Sequence, residues 1–333
     1  MLKEEINMKK IKTLSVILFL LLSLNFVGCN DSRIKVGILQ YVSVGALDQA
    51  REGIIEAFAK AGYTDKEVVF ITRNPQAETT TLGNMSKDLL RQADLVIGIA
   101  TPAAISLVNE AKNNNINKPI LFTAVTDPVT ANLVASNQAP GGNVTGTNDM
   151  NPVAEQIALA KELMPSLTKI GIVYTSSEVN SQLQVDLAIE KAEELGITIE
   201  TATITSTNEI QQVTRSLITN KGIELLYVPT DNLVASSMSV VSQITKEFKI
   251  PTVCGEASMI DNGGFITLGI DYKKLGILTG EMAIKVLKGE KTPATFPVAS
   301  LSEFDLVVSK KVADEINFVI PQAILDRAKT VIE

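Results

Sequence analysis

Apolar and polar positions alternate along this chain in two rhythms, short β-branched runs and longer helical stripes. Ile34-Lys35-Val36-Gly37-Ile38-Leu39 reads as a buried strand. Ala46 to Lys60 reads as a helix with Leu47, Ile54, Ile55 and Phe58 on one face and Gly62 as its stop. Glu67 to Thr72 is a second strand, Glu78 to Gln92 a second helix, and Leu95 to Ile99 a third strand. Pro102 opens a third helix in its first turn, where a missing N–H costs nothing, and Pro119 to Val125 is a fourth strand. Strands alternating with helices predict a parallel sheet with helices on both faces.

The pattern then restarts. Lys169-Ile170-Gly171-Ile172-Val173-Tyr174 echoes Lys35 to Gln40, Glu224 to Asp231 echoes Leu95 to Pro102, and Lys249 to Cys254 echoes Asn117 to Phe122. The offsets are about 134, 129 and 132 residues, a near-constant spacing that predicts two similar lobes rather than one long sheet. Asn143 to Asn151 and Gly263 to Asp271 are the expected crossings between lobes. After the second, Asp271 caps a helix with Leu275, Leu278, Met282 and Val286 on one stripe and Gly289 at its end, expected to return to the first lobe. The fold class is therefore α/β, two Rossmann-like lobes with parallel sheets joined by hinge crossings. The expected division is 1–28 as a leader, 29–148 plus about 268–292 as lobe 1 and 149–267 as lobe 2, with 293–333 unassigned.

Composition narrows the chemistry. The 333 residues include no histidine, no tryptophan and two cysteines. Histidine bases, histidine-ligated zinc sites and Ser-His-Asp triads are thereby excluded, and no metal site or cofactor is expected. Lys9, Lys10 and Lys12 precede an apolar run, Leu14 to Val27, too short to span a bilayer as a helix. A basic region followed by a short apolar one describes a secretory signal. Phe26-Val27-Gly28-Cys29 resembles a bacterial lipobox with Cys29 as the lipidated residue, departing at Phe26 where Leu is usual. A plain signal with an incidental cysteine is the alternative. Residues 1–28 hold four of the 30 basic and two of the 37 acidic residues, so the remainder carries 26 against 35, net −9. That balance argues against a nucleic-acid partner. Cys254, without a partner, reads as a small buried hydrophobe.

In open parallel sheets ligands bind at the carboxyl ends of the strands. In the first lobe those ends deliver Tyr41, Arg73, Thr101, Thr126 and Asp127, and the crossing delivers Thr147, Asn148 and Asp149. In the second lobe they deliver Tyr174, Ser177, Glu178, Asn180, Asp231 and Glu256. Helix starts among them favour an anionic group, isolated carboxylates an ammonium, and the tyrosines an apolar or aromatic moiety. Plainer readings stand beside these: Asp231, Asp127 and Thr101 as helix caps, Tyr174 as core, Arg73 as surface charge, and Glu52 and Glu56 as the wet face of their helix.

Gln40-Tyr41 with Ala46-Leu47-Asp48, Ala100 to Ala103, Val125 to Val129, Gly142 to Gly146, Ser176 to Ser181, Val228 to Asn232 and Gly255-Glu256 together resemble the tryptophan/tyrosine-type substrate-binding lipoproteins of ABC transporters, over essentially the whole chain after the leader. The resemblance implies the type I periplasmic-binding-protein fold, no active site, a lipid anchor on the extracytoplasmic face of the cell membrane, and ABC permease and ATPase partners. It implies a small amino acid ligand, aromatic by family. Tyr41, Thr101, Asp127, Asn148, Ser177, Glu178, Asn180, Asp231 and Glu256 are the expected ligand residues. Ser177, Asn180 and Thr101 would hold the carboxylate, and Asp231, Glu256 or Asp127 the ammonium. The chain departs from the family at Ser43-Val44-Gly45, where a histidine often stands. A sugar or nucleoside binder of the same fold and a surface adhesin lipoprotein are the competing readings.

Overall fold

In the computed structural model, which describes residues 31–333, the first apolar run forms β1 (Ile34–Gln40). There follow α1 (Gly45–Lys60), β2 (Val68–Arg73), α2 (Thr79–Gln92), β3 (Leu95–Ile99), α3 (Thr101–Asn113), β4 (Ile120–Val125) and β5 (Val144–Asn148). The leader and Cys29 lie outside the described residues. Helix α1 buries Leu47, Ala50, Ile54, Ala57 and Phe58, the spacing of one helical face. Ile55, expected on that face, sits roughly 100° around the axis from Ile54 and is exposed. Strands β3 and β4 are buried end to end, as strands covered on both faces must be.

The plan repeats with α4 (Val153–Leu163), β6 (Lys169–Thr175), α5 (Val179–Glu194), β7 (Thr198–Ile204), α6 (Ile210–Thr219), β8 (Leu225–Val228), α7 (Asn232–Ser236), α8 (Met238–Glu247), β9 (Thr252–Cys254), α9 (Ser258–Asp261) and β10 (Ile266–Gly269). The chain continues through α10 (Tyr272–Leu287), β11 (Ala299–Ser300), β12 (Asp305–Ser309), α11 (Lys310–Ile316), α12 (Gln322–Arg327) and β13 (Thr330–Ile332). The first sheet runs β2-β1-β3-β4-β5 and the second β7-β6-β8-β9-β10, so the sequence echo is an echo of topology. Strand β11 extends the first sheet, and β12 and β13 the second. Every neighbouring pair is parallel except β10 with β12.

The crossings are shorter than the sequence suggests. Residues 144–148 and 266–269 are strands, which leaves 149–152 and 270–271 as links. The C-terminal segment divides between the sheets and makes a third link at 301–304. Val144-Thr145-Gly146-Thr147-Asn148 lacks an apolar run because its burial is met by close approach and hydroxyl pairing. A Cβ at Gly146 would stand 2.1 Å from the Phe122 carbonyl oxygen, and the Thr147 hydroxyl bonds those of Thr123 and Thr279 at 3.0 and 2.8 Å. Asp271 caps α10 through the Lys274 N–H, and that helix packs along α1 in the first lobe. Residues 34–333 form one compact unit.

Candidate functional site

Both lobes turn the carboxyl ends of their strands toward a common cleft. In the first, a bulge between Phe122 and Val125 with Ala124 at φ +53° re-aims the end of β4, so that Ala124 and Thr126 face the cleft. Ala100, at φ +82° and ψ 152°, sits where an L side chain is strained and delivers Thr101 as the first residue of α3. In the second lobe, α5 and α7 start directly after β6 and β8 and present Asn180, Asp231 and Asn232.

The lobes touch. A Cβ on Gly45 would stand 2.5 Å from that of Ser258, and the Ala46 N–H donates to the Ser258 Oγ at 3.0 Å. Ser258 in turn donates to both oxygens of Glu256, from its hydroxyl at 2.8 Å and its N–H at 2.5 Å. Behind this contact lies an inner cavity of only about 30 Å³, bounded by Val44 and Leu47, by Asp149 and Tyr272 of the crossings, and by Asn180, Asp231, Glu256 and Met259. Such a space holds one or two waters. A larger hollow of about 480 Å³ forms the mouth, between Thr101 and Ile105 on one side and Ser177, Glu178 and Asn180 on the other. Among the described residues no lysine or arginine lines either space.

The expected ligand residues fall into three groups. Asn180, Asp231 and Glu256 line the inner cavity, while Thr101, Ser177, Glu178 and again Asn180 line the mouth. Tyr41 is buried at the end of β1, where it feels the charges of Glu178 and Asp231; burial first, and then those charges, push its hydroxyl up to about 12. Asp127 and Asn148 line neither space. Asp127 accepts from the N–H groups of Val129 and Thr130 and from the Thr130 hydroxyl, closing its own turn. Asn148 ends β5, paired with Ser300. Tyr174 is buried in the core of the second lobe with its hydroxyl on Gln182 at 3.1 Å, Arg73 pairs with Asp88 at 3.2 Å, and Cys254 is fully buried.

Hydrogen bonding separates the carboxylates. Asp231 accepts four bonds, from the N–H and hydroxyl of Thr175, the Ser181 hydroxyl and the Val234 N–H. Glu178 Oε2 accepts from Asn180 and from both nitrogens of Asn232, while Oε1 has no partner. Burial, and then the adjacent Asp231 charge, raise the Glu178 carboxyl well above its ordinary value; burial lifts Glu256 to about 7. Asp149 accepts the Tyr272 hydroxyl on Oδ2 at 2.7 Å, and its Oδ1 has no partner. Burial raises its pKa to about 6, opposed by the Tyr272 and Thr126 side chains. Sequence reasoning placed Asp149 at the crossing but carried only its neighbour Asn148 forward, and it missed Tyr272. The available signal was position, since Tyr272 opens the helix that Asp271 caps beside the second crossing.

Two like α/β lobes, three short links and a polar cleft between them define a ligand-binding protein of the type I periplasmic class. Residues 35–332 match the family described as ABC transporter substrate binding protein. The chain is 40% identical over 278 residues to a tyrosine-binding protein of Clostridioides difficile, covering 83% of this chain and 79% of that one. It resembles the ABC domain of Streptococcus pneumoniae in complex with L-Trp, at TM-score 0.85 and 39% identity over 90% of this chain and 100% of that one. Against the ligand-free, open structure of a Clostridium difficile substrate-binding protein with adhesive properties the TM-score is 0.67, at 38% identity over 90% and 99%. At near-equal identity the chain superposes more closely on the L-Trp complex than on the open structure. The chain belongs to the ABC transporter substrate-binding protein family, a family of extracytoplasmic solute binders rather than enzymes. Among the described residues no helix is long and apolar enough to cross a membrane.

Proposed function

We propose that this protein is an extracytoplasmic lipoprotein, acylated at Cys29, that closes its lobes over an aromatic amino acid, tyrosine or tryptophan. It then delivers that ligand to an ABC permease for import. The observation that carries the reading is the charge pattern of the cleft. Asp149, Asp231 and Glu256 line the inner cavity and Glu178 and Glu110 its mouth, without a lysine or arginine among the described residues on either wall, so the ligand brings the positive group. An ammonium there meets carboxylates already desolvated, and a charge buried in this way is tolerable only when paired. The 40% identical tyrosine-binding protein and the 39% identical L-Trp complex support the choice of side chain. The ligand's carboxylate has no cation to meet. Thr101, Ser177 and Asn180, with the N-termini of α3 and α5, offer it neutral donors instead. Val44, Leu47, Ala235 and Met259 give the ring an apolar wall. Closure follows because only the closed state contacts the ligand from both lobes.

The test is a thermal-shift screen of the protein against amino acids, sugars and nucleosides, followed by calorimetry. Stabilisation by L-tyrosine or L-tryptophan that grows with concentration is expected. A sugar or nucleoside hit with silent amino acids refutes the reading.

A further inference from the structure

Among the described residues five carboxylates line the cleft, Asp149, Asp231 and Glu256 inside and Glu110 and Glu178 at the mouth, and they are not equivalent. Asp231 is saturated by four donors of its own lobe, and each oxygen of Glu256 is engaged by Ser258. Glu178 and Glu110 line the mouth and not the inner cavity. Asp149 alone combines a place on the inner wall with an oxygen that has no hydrogen-bond partner, in a residue only 4% exposed. Leaving a buried carboxylate oxygen without a donor is costly, and an N–H-bearing ligand would remove that cost.

We propose, building on the amino-acid reading above, that Asp149 receives the ligand's ammonium group on Oδ1 and that Tyr272 is its positioning residue. Both stand at the links between lobes. Asp149 opens the 149–152 link, and Tyr272 follows the 270–271 link. Asn151 ties the two together, its Oδ1 accepting the Ile270 N–H at 3.1 Å and its Nδ2 donating to the Tyr272 hydroxyl at 3.4 Å. The Tyr272 hydroxyl fixes Oδ2, so Oδ1 keeps its place whether the lobes are apart or together. The amino group therefore docks at the hinge before closure, and specificity for amino acids over their deaminated analogues resides there. With its carboxyl at about 6, Asp149 is largely ionised at neutral pH, as a receiver of an ammonium must be.

Calorimetry of the full extracytoplasmic chain decides it. The probes are L-tyrosine and L-tryptophan, each paired with its analogue lacking the amino group, 3-(4-hydroxyphenyl)propionate and indole-3-propionate. The wild type is expected to prefer each amino acid by roughly 30- to 1000-fold, the usual consequence of a buried charged partner. Asp149→Asn, nearly isosteric, collapses that ratio to within a few-fold, and Tyr272→Phe lowers it about tenfold. Glu256→Gln changes both affinities in step and keeps the ratio. An Asp149→Asn protein that retains the wild-type ratio overturns the proposal. So does a ratio that collapses in Glu256→Gln instead. Should Asp149→Asn not fold, an unchanged ratio in Tyr272→Phe overturns it equally. A wild type that binds the deaminated analogues as well as the amino acids removes the proposal alone, whereas one that binds neither class refutes the amino-acid reading with it.

Discussion

Each oxygen of the Asp231 carboxylate accepts two hydrogen bonds from its own lobe, and the side chain is 1% exposed. It joins the end of β6, the first turn of α5 and the start of α7 in one network. Asp231→Asn would replace one acceptor oxygen by an NH₂ facing existing donors, so at least one bond is lost and one donor stranded. We expect a loss of about 2–4 kcal/mol of stability, read from urea unfolding midpoints. Pro229-Thr230-Asp231-Asn232 marked this position in the sequence but not its use, because a cap and a ligand carboxylate both stand between a strand end and a helix. Ala100 shows the opposite gap. Nothing in Ala100-Thr101-Pro102 announces a positive φ, since alanine rarely adopts one, and the strain comes only from the tertiary setting. Replacing a buried helical alanine such as Ala104 by glycine is expected to cost about 1–2 kcal/mol through lost packing and backbone entropy. Ala100→Gly loses the same methyl but relieves about 1–3 kcal/mol of strain, so it should fall within about 0.5 kcal/mol of wild type. Equal losses at both positions in chemical denaturation would show that Ala100 carries no strain.

At the scale of elements, the most demanding contact is that of α1 with α10, the helix that brings the chain back to the first lobe. A Cβ on Gly276 would stand 2.0 Å from the Ala50 carbonyl oxygen, and one on Gly53 2.2 Å from that of Lys273. Backbone meets backbone here, so no side-chain rotation can make room. Gly276→Ala is expected to destabilise the protein by about 3 kcal/mol, measurable as a lowered guanidinium midpoint, while the exposed Gly289 at the end of the same helix is no such contact. The return of this helix was legible from its stripe and its Asp271 cap, as were the strand and helix order and the internal repeat, because periodicity and capping are local. The links were not. Strand β5 is buried through a glycine and threonine hydroxyls rather than through an apolar run, and β11 is too short to carry a pattern. The third link at 301–304 therefore emerges only from the pairing of β11 with β5 and of β12 with β10. Asp149 stood at the crossing in the sequence without a ligand role for the same reason: its place on the cavity wall follows from where a short link puts it, and link length was the feature the sequence left open.

For the whole molecule, closure without a ligand gathers acids with no compensating cation, and that makes stability depend on pH in an unusual direction. Asp149 at about 6, Glu256 at about 7 and Glu178, also raised, all hold their protons more tightly in the folded, closed protein than the roughly 4 of an unfolded carboxyl. The titratable groups beside them are Asp231, Asp261, Tyr272, Tyr41 and Cys254, none of them basic. The folded state thus binds more protons than the unfolded one between about pH 4 and 8, and stability falls as pH rises through that window. Glu56, Glu67, Glu209 and Glu247 are shifted downward by hydrogen bonds and ion pairs, and act in the opposite sense. They are exposed or half-buried at the surface, where solvent screens them, and their influence lies at lower pH. The ligand-free protein is therefore expected to melt at progressively lower temperature from pH 5 to pH 8, whereas an acidic protein of net −9 with only surface carboxylates would show little change over that range. Saturating L-tyrosine or L-tryptophan should flatten the profile, because an ammonium in the cleft stabilises the ionised carboxylates and removes the advantage of the protonated forms. Calorimetric melts at pH 5, 6, 7 and 8, with and without the amino acid, measure both slopes. A ligand-free profile that is flat or rises with pH would mean that the cleft acids ionise as easily as surface ones, and that the empty protein in solution keeps its lobes apart.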